Sequence, residues 1–269
     1  HERPGVYSSY DASSVVSASA AAKTIGAAAV AAKGTANKVE LITSYEEGKS
    51  VFGEDASGVY GMSTLLKFLF ANGAGAVKAV AVGEDEDKEK DYASAFAALA
   101  GEEDVGVMVC DSAEQSVHLL LKTAAEDASA ARRERIAVIG GSEETVAQMV
   151  NHAKAVNSER VVLVGPDIAL DGGGTLSAVF AAAAVAGVIA GNTDPSVPIN
   201  GAELALFGAA GKRLSDNEID QLVRGGVTPI ETVGGVSSPV RGITTKTSSG
   251  GAADTTWREL TTILIVDEV

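Results

Sequence analysis

Val105-Gly106-Val107-Met108-Val109, Ile136-Ala137-Val138-Ile139 and Val161-Val162-Leu163-Val164 are three short runs with no polar side chain. Their reading decides the fold class. A strand with one wet face alternates apolar and polar residues, whereas a strand covered on both faces is apolar throughout. Between the first two runs, after Ser112, Val117, Leu120, Leu121, Ala124, Ala125 and Ala128 recur at helical spacing. Between the second and third, after Ser142, Val146, Met149, Val150, Ala153 and Val156 do the same. Further strands are expected at Ile25–Ala31, Val39–Ile42, Val77–Val82 and Ile263–Val266. Val59–Ala71 reads as a helix carrying Leu65, Leu66, Leu69 and Phe70, stopped by Asn72-Gly73. Ser44 with Glu47, Ser112 with Gln115, and Ser215 with Glu218 fit capping boxes. The βαβα order predicts an α/β fold: a mostly parallel sheet with helices on both faces.

The chain has 269 residues, enough to bury a core without disulfide staples. It is 46% hydrophobic but only 4% aromatic, so Ala and Val pack backbones closely, and base stacking or a large hydrophobic ligand pocket is disfavoured. A net charge of −15 argues against nucleic acid and anionic membranes as partners. One Cys excludes an intrachain disulfide and a CxxC metal site. The apolar stretch Leu176 to Ala190 falls short of the roughly 20 residues that cross a bilayer, so no membrane insertion is expected. Ser14 to Ala32 is interrupted by Lys23 and lacks a basic leader, unlike a signal peptide.

Three regions are expected. Residues 1–23 form an extended N-terminal arm, since Arg3-Pro4-Gly5-Val6-Tyr7 is followed by a Ser/Ala stretch without period. Residues 24–225 form the α/β core. Residues 226–269 form a β-type segment rich in Gly, Ser and Thr, with patches at Thr228–Val233 and Val240–Thr245. The chain starts at His1 and stops in the apolar run Thr261–Val266, so both ends read as cut from something longer. Glu84–Asp91 reads as a solvated loop and helix start.

Candidate chemistry is sparse. Gly140-Gly141-Ser142 follows a strand and opens a helix, where a phosphate would sit, but Glu143 and Glu144 repel an anion. Glu144 also breaks a nucleophile elbow, which leaves a tight turn with an N-cap. Asp171-Gly172-Gly173-Gly174-Thr175 lacks the Lys of a P-loop and reads as a loop with Thr175 near a cap. Cys110-Asp111 ends a parallel strand, where α/β proteins bind ligands. Without an adjacent base, Cys110 reads as a small buried hydrophobe. His118 lies on the following helix, and His152 falls off the apolar stripe of its own helix and reads as solvated. No catalytic triad, paired-carboxylate motif or metal motif assembles, and no cofactor is expected.

Whole segments, taken in order, resemble the contractile phage tail sheath proteins. Arg3-Pro4-Gly5-Val6-Tyr7 is similar to that family's opening motif. Gly34 to Ser44 followed by Phe52-Gly53 is similar to its first strand and turn, although Ala36 and Lys38 stand where the family has prolines nearby. Gly58-Val59-Tyr60 through Phe68-Leu69-Phe70-Ala71-Asn72-Gly73 resembles its next helix and stop. Ala186-Gly187 to Asp194, Pro198 to Ala202, Asn217 to Ile230, Arg241 to Thr247 and Trp257-Arg258-Glu259-Leu260 continue the likeness.

The resemblance implies a structural protein and not an enzyme. It implies hexameric rings stacked helically around a tail tube, which contract to drive the tube through a target envelope. The implied partners are further copies, the tube protein through a C-terminal domain missing here, a baseplate and a tail terminator. The implied location is a phage tail or phage-tail-like particle assembled in the bacterial cytoplasm. Arg3, Pro4, Gly5, Val6 and Tyr7, with Thr262, Ile263, Leu264, Ile265 and Val266, are expected at subunit interfaces as straps or edge strands. Lys33, Arg213, Arg224 and Arg241 are expected to meet acidic neighbours there. The alternative from another class is a small-molecule-binding α/β enzyme or receptor using the turns at Gly140 or Gly172.

Overall fold

The computed structural model describes residues 22–83, 88–142, 145–171, 173–209 and 213–268. The elements run β1 (Thr24–Ala29), β2 (Val39–Ile42), α1 (Tyr45–Phe52), α2 (Met62–Ala71), β3 (Val77–Ala81), α3 (Lys88–Ala100), β4 (Val105–Cys110), α4 (Gln115–Ala130) and β5 (Ile136–Gly140). They continue α5 (Val146–Val156), β6 (Val161–Gly165), β7 (Ile168–Ala169), β8 (Thr175–Leu176), α6 (Ala178–Gly191), α7 (Asp216–Arg224), β9 (Val227–Val233), β10 (Val236–Pro239) and α8 (Leu260–Asp267). Among the described residues, eight strands form one sheet in the order β10-β9-β6-β5-β4-β1-β3-β2. The six inner strands are parallel, and the edge strands β2 and β10 pair antiparallel. The mostly parallel α/β fold expected from the apolar runs is the fold observed.

Period-two alternation assigns each strand residue to a face. Ile25, Ala27, Val107, Val109, Ile136, Val138, Val162 and Val164 join the core with α2, α6 and α8. Ala28, Met108, Ala137, Ile139, Val161 and Leu163 join the core with α3, α4, α5 and α7. Helices thus cover both faces, which is why the strand runs contain no polar side chain.

The stretch too short for a bilayer is the central helix α6, buried along all but Val188 and Gly191. A helix apolar all round belongs inside a protein, and here α2 covers its outer side. Small residues permit the contact. A Cβ on Gly140 would stand 2.2 Å from the Ala178 carbonyl group, and one on Gly187 2.7 Å from the Leu69 oxygen. Full burial of a side chain such as Ile189 contributes about 1.5–3 kcal/mol. No helix of the described residues is long and apolar enough to cross a membrane.

Several local expectations are corrected. Ile263–Val266 is not a strand but part of α8. An apolar run of this length suits helix or strand equally. Burial of Leu260, Ile263 and Leu264 at helical spacing against the core, and the Asp267 anchor described below, settle it as helix. Val240–Thr245 forms no strand. It is pinned instead by Thr245 N–H donating to the Val161 carbonyl (2.8 Å) and by the Thr228 hydroxyl bonding both Ile243 N–H and its carbonyl.

The Ser215–Glu218 capping box is present in full. Ser44 accepts from Glu47 N–H, but the Glu47 carboxylate reaches back to Thr43. Ser112 precedes its helix by too much to cap it and accepts from Glu114 N–H instead. Thr145 with Gln148, and not Ser142, caps α5. Gly173 and Gly174, at φ 95° and 94°, turn the β7–β8 hairpin, and Ser177 rather than Thr175 caps α6.

Candidate functional site

The carboxyl ends of β1, β3 and β4 are the topological switch point of the sheet, since the chain passes from β3 to β4 across β1. A crevice of about 650 Å³ opens there, walled by Val30, Val82, Lys88, Tyr92, Asp111 and Glu114 among others. Burial pushes the Asp111 carboxyl up to about 6, against the opposing effect of the Tyr92 hydroxyl (2.5 Å) and Val30 N–H (2.9 Å), which both donate to it. Burial and then the charge of Asp111 push the Cys110 thiol up to about 12, so it is a neutral thiol and no nucleophile. That bears out its reading as a buried small hydrophobe.

His118 does come near Cys110, because both bond the Ser112 carbonyl, at 2.8 and 3.8 Å. Its other ring nitrogen faces His152 at 2.9 Å, so it is not placed as a base for sulfur. His152 is a correction: it is buried, 4% exposed, and not solvated. It lies off the apolar stripe because its partner is another imidazole. A side chain on Gly140 would run into the α6 backbone, so this glycine serves the close packing of β5 against α6. Gly172 and the arm residues Arg3, Pro4, Gly5, Val6 and Tyr7 lie outside the described residues. Among the described residues, no group of three or more His, Cys, Asp or Glu is placed to hold a metal.

The remaining candidates are surfaces. The outer side of β10 is covered, with Leu204 N–H donating to the Ser237 carbonyl and Gly201 N–H to the Pro239 carbonyl, both at 2.8 Å. On its outer side β2 has no partner strand among the described residues, and Leu41 is exposed there. The strand is four residues long and carries the Lys38–Glu40 ion pair (2.6 Å), which are features that guard an edge.

A second surface is the corner where the described chain enters and leaves. Lys23 N–H donates to the Ala190 carbonyl (3.0 Å), and the Lys23 ammonium meets Glu268 (3.3 Å). Arg160 grips both oxygens of Asp267 at 2.7 and 2.8 Å and reaches Glu134 at 2.8 Å, tying α8 to the start of β6. Burial raises the Asp267 carboxyl, and Arg160 opposes that. Of the expected interface residues on α8, Thr262, Ile265 and Val266 are exposed, while Ile263 and Leu264 are buried in the core. Arg241 and Arg213 find acidic partners within the chain, Glu259 at 2.6 Å and Glu231 at 3.6 Å.

A third surface went unread in the sequence. Val59, Tyr60 and Phe207 are exposed beside a groove of about 370 Å³. Tyr60 packs on Phe180 (ring centroids 5.6 Å apart) and Phe207 on Phe68 (5.6 Å), with the Lys67 ammonium 4.4 Å from the centre of the Phe207 ring. Aromatic side chains are enriched at protein interfaces, and the chain holds few of them. No spacing in the sequence joins Tyr60 to Phe207, because the fold alone brings them together.

The sequence model of the phage tail sheath protein central domain matches residues 86–245. A tail sheath protein of Bacillus phage SP01 is 36% identical over 120 residues, which are 42% of this chain and 21% of that protein. The chain therefore spans about a fifth of the length of that relative. A sheath tail protein of Desulfitobacterium hafniense has the same fold, with a TM-score of 0.72 at 12% identity over 98% of this chain and 80% of that one. One of Listeria innocua gives 0.70 at 12% identity over 92% and 74%. The contracted helical sheath of the anti-feeding prophage gives 0.65 at 17% identity over 98% and 72%. The family match takes in more than half of the chain and most of the parallel sheet, from α3 to β9: the chain belongs to the phage tail sheath proteins, a structural family and not one of enzymes.

Proposed function

We propose that this chain is the body of a contractile sheath subunit, which assembles as hexameric rings stacked around a tail tube and contracts to drive that tube through a target envelope. The observation that carries this reading is the family match over residues 86–245. The likeness in fold to sheaths of the anti-feeding prophage and of an extracellular contractile injection system, both in the contracted state, supports it. A body whose sheet is closed on both faces suits the task. Contraction exchanges one set of contacts between rigid units for another of lower free energy, with a kinetic barrier holding the extended state.

In this reading residues 1–23 are an arm, 24–225 the body, and 226–269 a segment that completes the body's sheet with β9 and β10 before leading toward a tube-facing domain. Arg3, Pro4, Gly5, Val6 and Tyr7 strap a neighbouring copy by adding main-chain hydrogen bonds. Thr262, Ile265 and Val266 offer the exposed side of α8 to another. Partners are further copies, the tube, a baseplate and a terminator, in a phage tail or related particle assembled in the bacterial cytoplasm. The charge of −15 is tolerable, because like charges more than about 8 Å apart are screened at physiological salt.

Negative-stain electron microscopy of the full-length gene product beside the 269-residue chain tests this. Hollow striated tubes from the long form, lost on deletion of residues 1–20, are expected. Dispersed globules from both forms would overturn the reading, and unchanged tubes after the deletion would overturn the strap.

A further inference from the structure

We propose that the groove walled by Tyr60, Lys67 and Phe207 docks a second copy of this chain, which seats a carboxylate against the Lys67 ammonium. The choice of partner rests on the sheath reading, in which further copies are the nearest neighbours. Val59, Tyr60 and Phe207 are 57%, 50% and 46% exposed. The two rings are nevertheless fixed. Tyr60 stands edge-on to Phe180, and Phe207 packs against Phe68. The segment that carries Phe207 is pinned on both sides of it. Ala205 N–H donates to Asn72 Oδ1 (2.8 Å), and Asp171 N–H donates to the Gly208 carbonyl (2.7 Å). A half-exposed ring held in place gives up little freedom when a partner covers its other half.

The charges of the groove select the partner. Asp55 is spent within the chain, where it accepts from Gly61 N–H (3.0 Å), Thr64 N–H (2.8 Å) and the Thr64 hydroxyl (2.6 Å) at the start of α2. Glu54 pairs with Lys49 at 3.4 Å. Lys67 is exposed, and its ammonium lies over the Phe207 ring with no carboxylate partner among the described residues. The groove therefore presents apolar rings around one uncompensated positive charge. A partner that covers Phe207 also takes water from that ammonium, and the loss is made good only by an anion brought to it. Another copy is rich in such anions, with 36 Asp and Glu against 21 Lys and Arg.

The same charge sets the symmetry of the contact. Pairing the patch with itself about a two-fold axis would bring two Lys67 ammoniums into one apolar contact, which like charges oppose. The patch therefore meets a different, acidic face of the next copy. Such a heterologous contact leaves a groove open on one copy and an acidic face open on the other, so it continues into a ring or a helix instead of closing as a dimer.

The experiment places a photoreactive benzoyl-phenylalanine at Phe207 in the full-length gene product, with Lys67 retained and with Lys67→Glu. Both positions are at the surface, and a melting curve checks that each form folds. Irradiation is expected to join two copies, with the adduct mapped by mass spectrometry to an acidic stretch of the second one. Lys67→Glu sets like charges together and is expected to cut the yield of that adduct about tenfold. An adduct within one chain, an adduct with a different protein, no adduct, or an equal yield from Lys67→Glu overturns the docking site. Electron microscopy of the same samples before irradiation scores the sheath reading separately. Dispersed particles that still give the two-copy adduct overturn the tubes and keep the site, whereas tubes without the adduct overturn the site and keep the sheath.

Discussion

The two faces of the sheet solve the same problem differently. On one, α6 is buried nearly all round and made mostly of Ala, Val and Gly, so contact is made by backbones approaching closely. On the other, α3, α4, α5 and α7 each bury one stripe, and larger side chains such as Phe96, Leu121, Met149 and Leu222 fill the space. That second face also holds large buried polar groups: the histidine pair, and Arg135, which is fully buried and caps α3 by donating to the Leu99 and Glu102 carbonyls. The first face has no room for added atoms, and the second has no atoms to spare. Close packing makes both intolerant, but to opposite changes.

The largest effect should come from adding atoms under α6. In Gly140→Val the new Cβ meets Ala178 backbone at 2.2 Å, and backbone cannot give way. A loss of about 4 kcal/mol is expected, at the extreme of single substitutions, read as a collapsed urea midpoint or insoluble expression. A near-neutral result would break the claim that this face is closed by backbone contact. Next comes removal of atoms on the other face. Leu121→Ala should cost about 3 kcal/mol through a cavity, and a cost below 1 would mean that α4 collapses inward to fill it.

The Ser215→Ala change removes a complete capping box from α7 and should cost about 1 kcal/mol by thermal melting. The smallest effect at neutral pH is a change in pH profile. Asp111→Asn keeps partners for Tyr92 and Val30 N–H but removes the titration. Because the folded carboxyl is raised, the parent gains stability as pH falls from about 6 toward its ordinary range, and the variant should lack that gain. Parallel stability-versus-pH curves would place Asp111 in a better-hydrated setting than the crevice suggests.

How much of this was legible varied with how local the cause was. The strands read correctly because continuous Val and Ile runs report burial on both faces whatever lies beyond. The α7 cap read correctly because Ser215 and Glu218 satisfy one another within one turn. Ser112 and Ser142 misled, since several residues near a helix start satisfy the same pattern and the loop path decides which is used. The C-terminal apolar run misled for a related reason. Thr261–Val266 is amphiphilic in neither period, and the end of its helix is held by Arg160, 107 residues earlier in the chain, through Asp267. The exposed aromatic patch was the least legible part. The likeness to sheath proteins was carried by short motifs in order, but the exposed Tyr60 and Phe207 share no sequence pattern.

By itself the sequence determined the fold class, the near absence of catalytic groups and the family likeness, because hydrophobic period, composition and motif order are properties of the chain read locally. Only the tertiary structure decided that α6 is interior, that His118 meets His152, and that the last helix is a helix. Those outcomes depend on which distant groups are brought within a few ångströms, and burial, hydrogen bonding and charge pairing act only at that range.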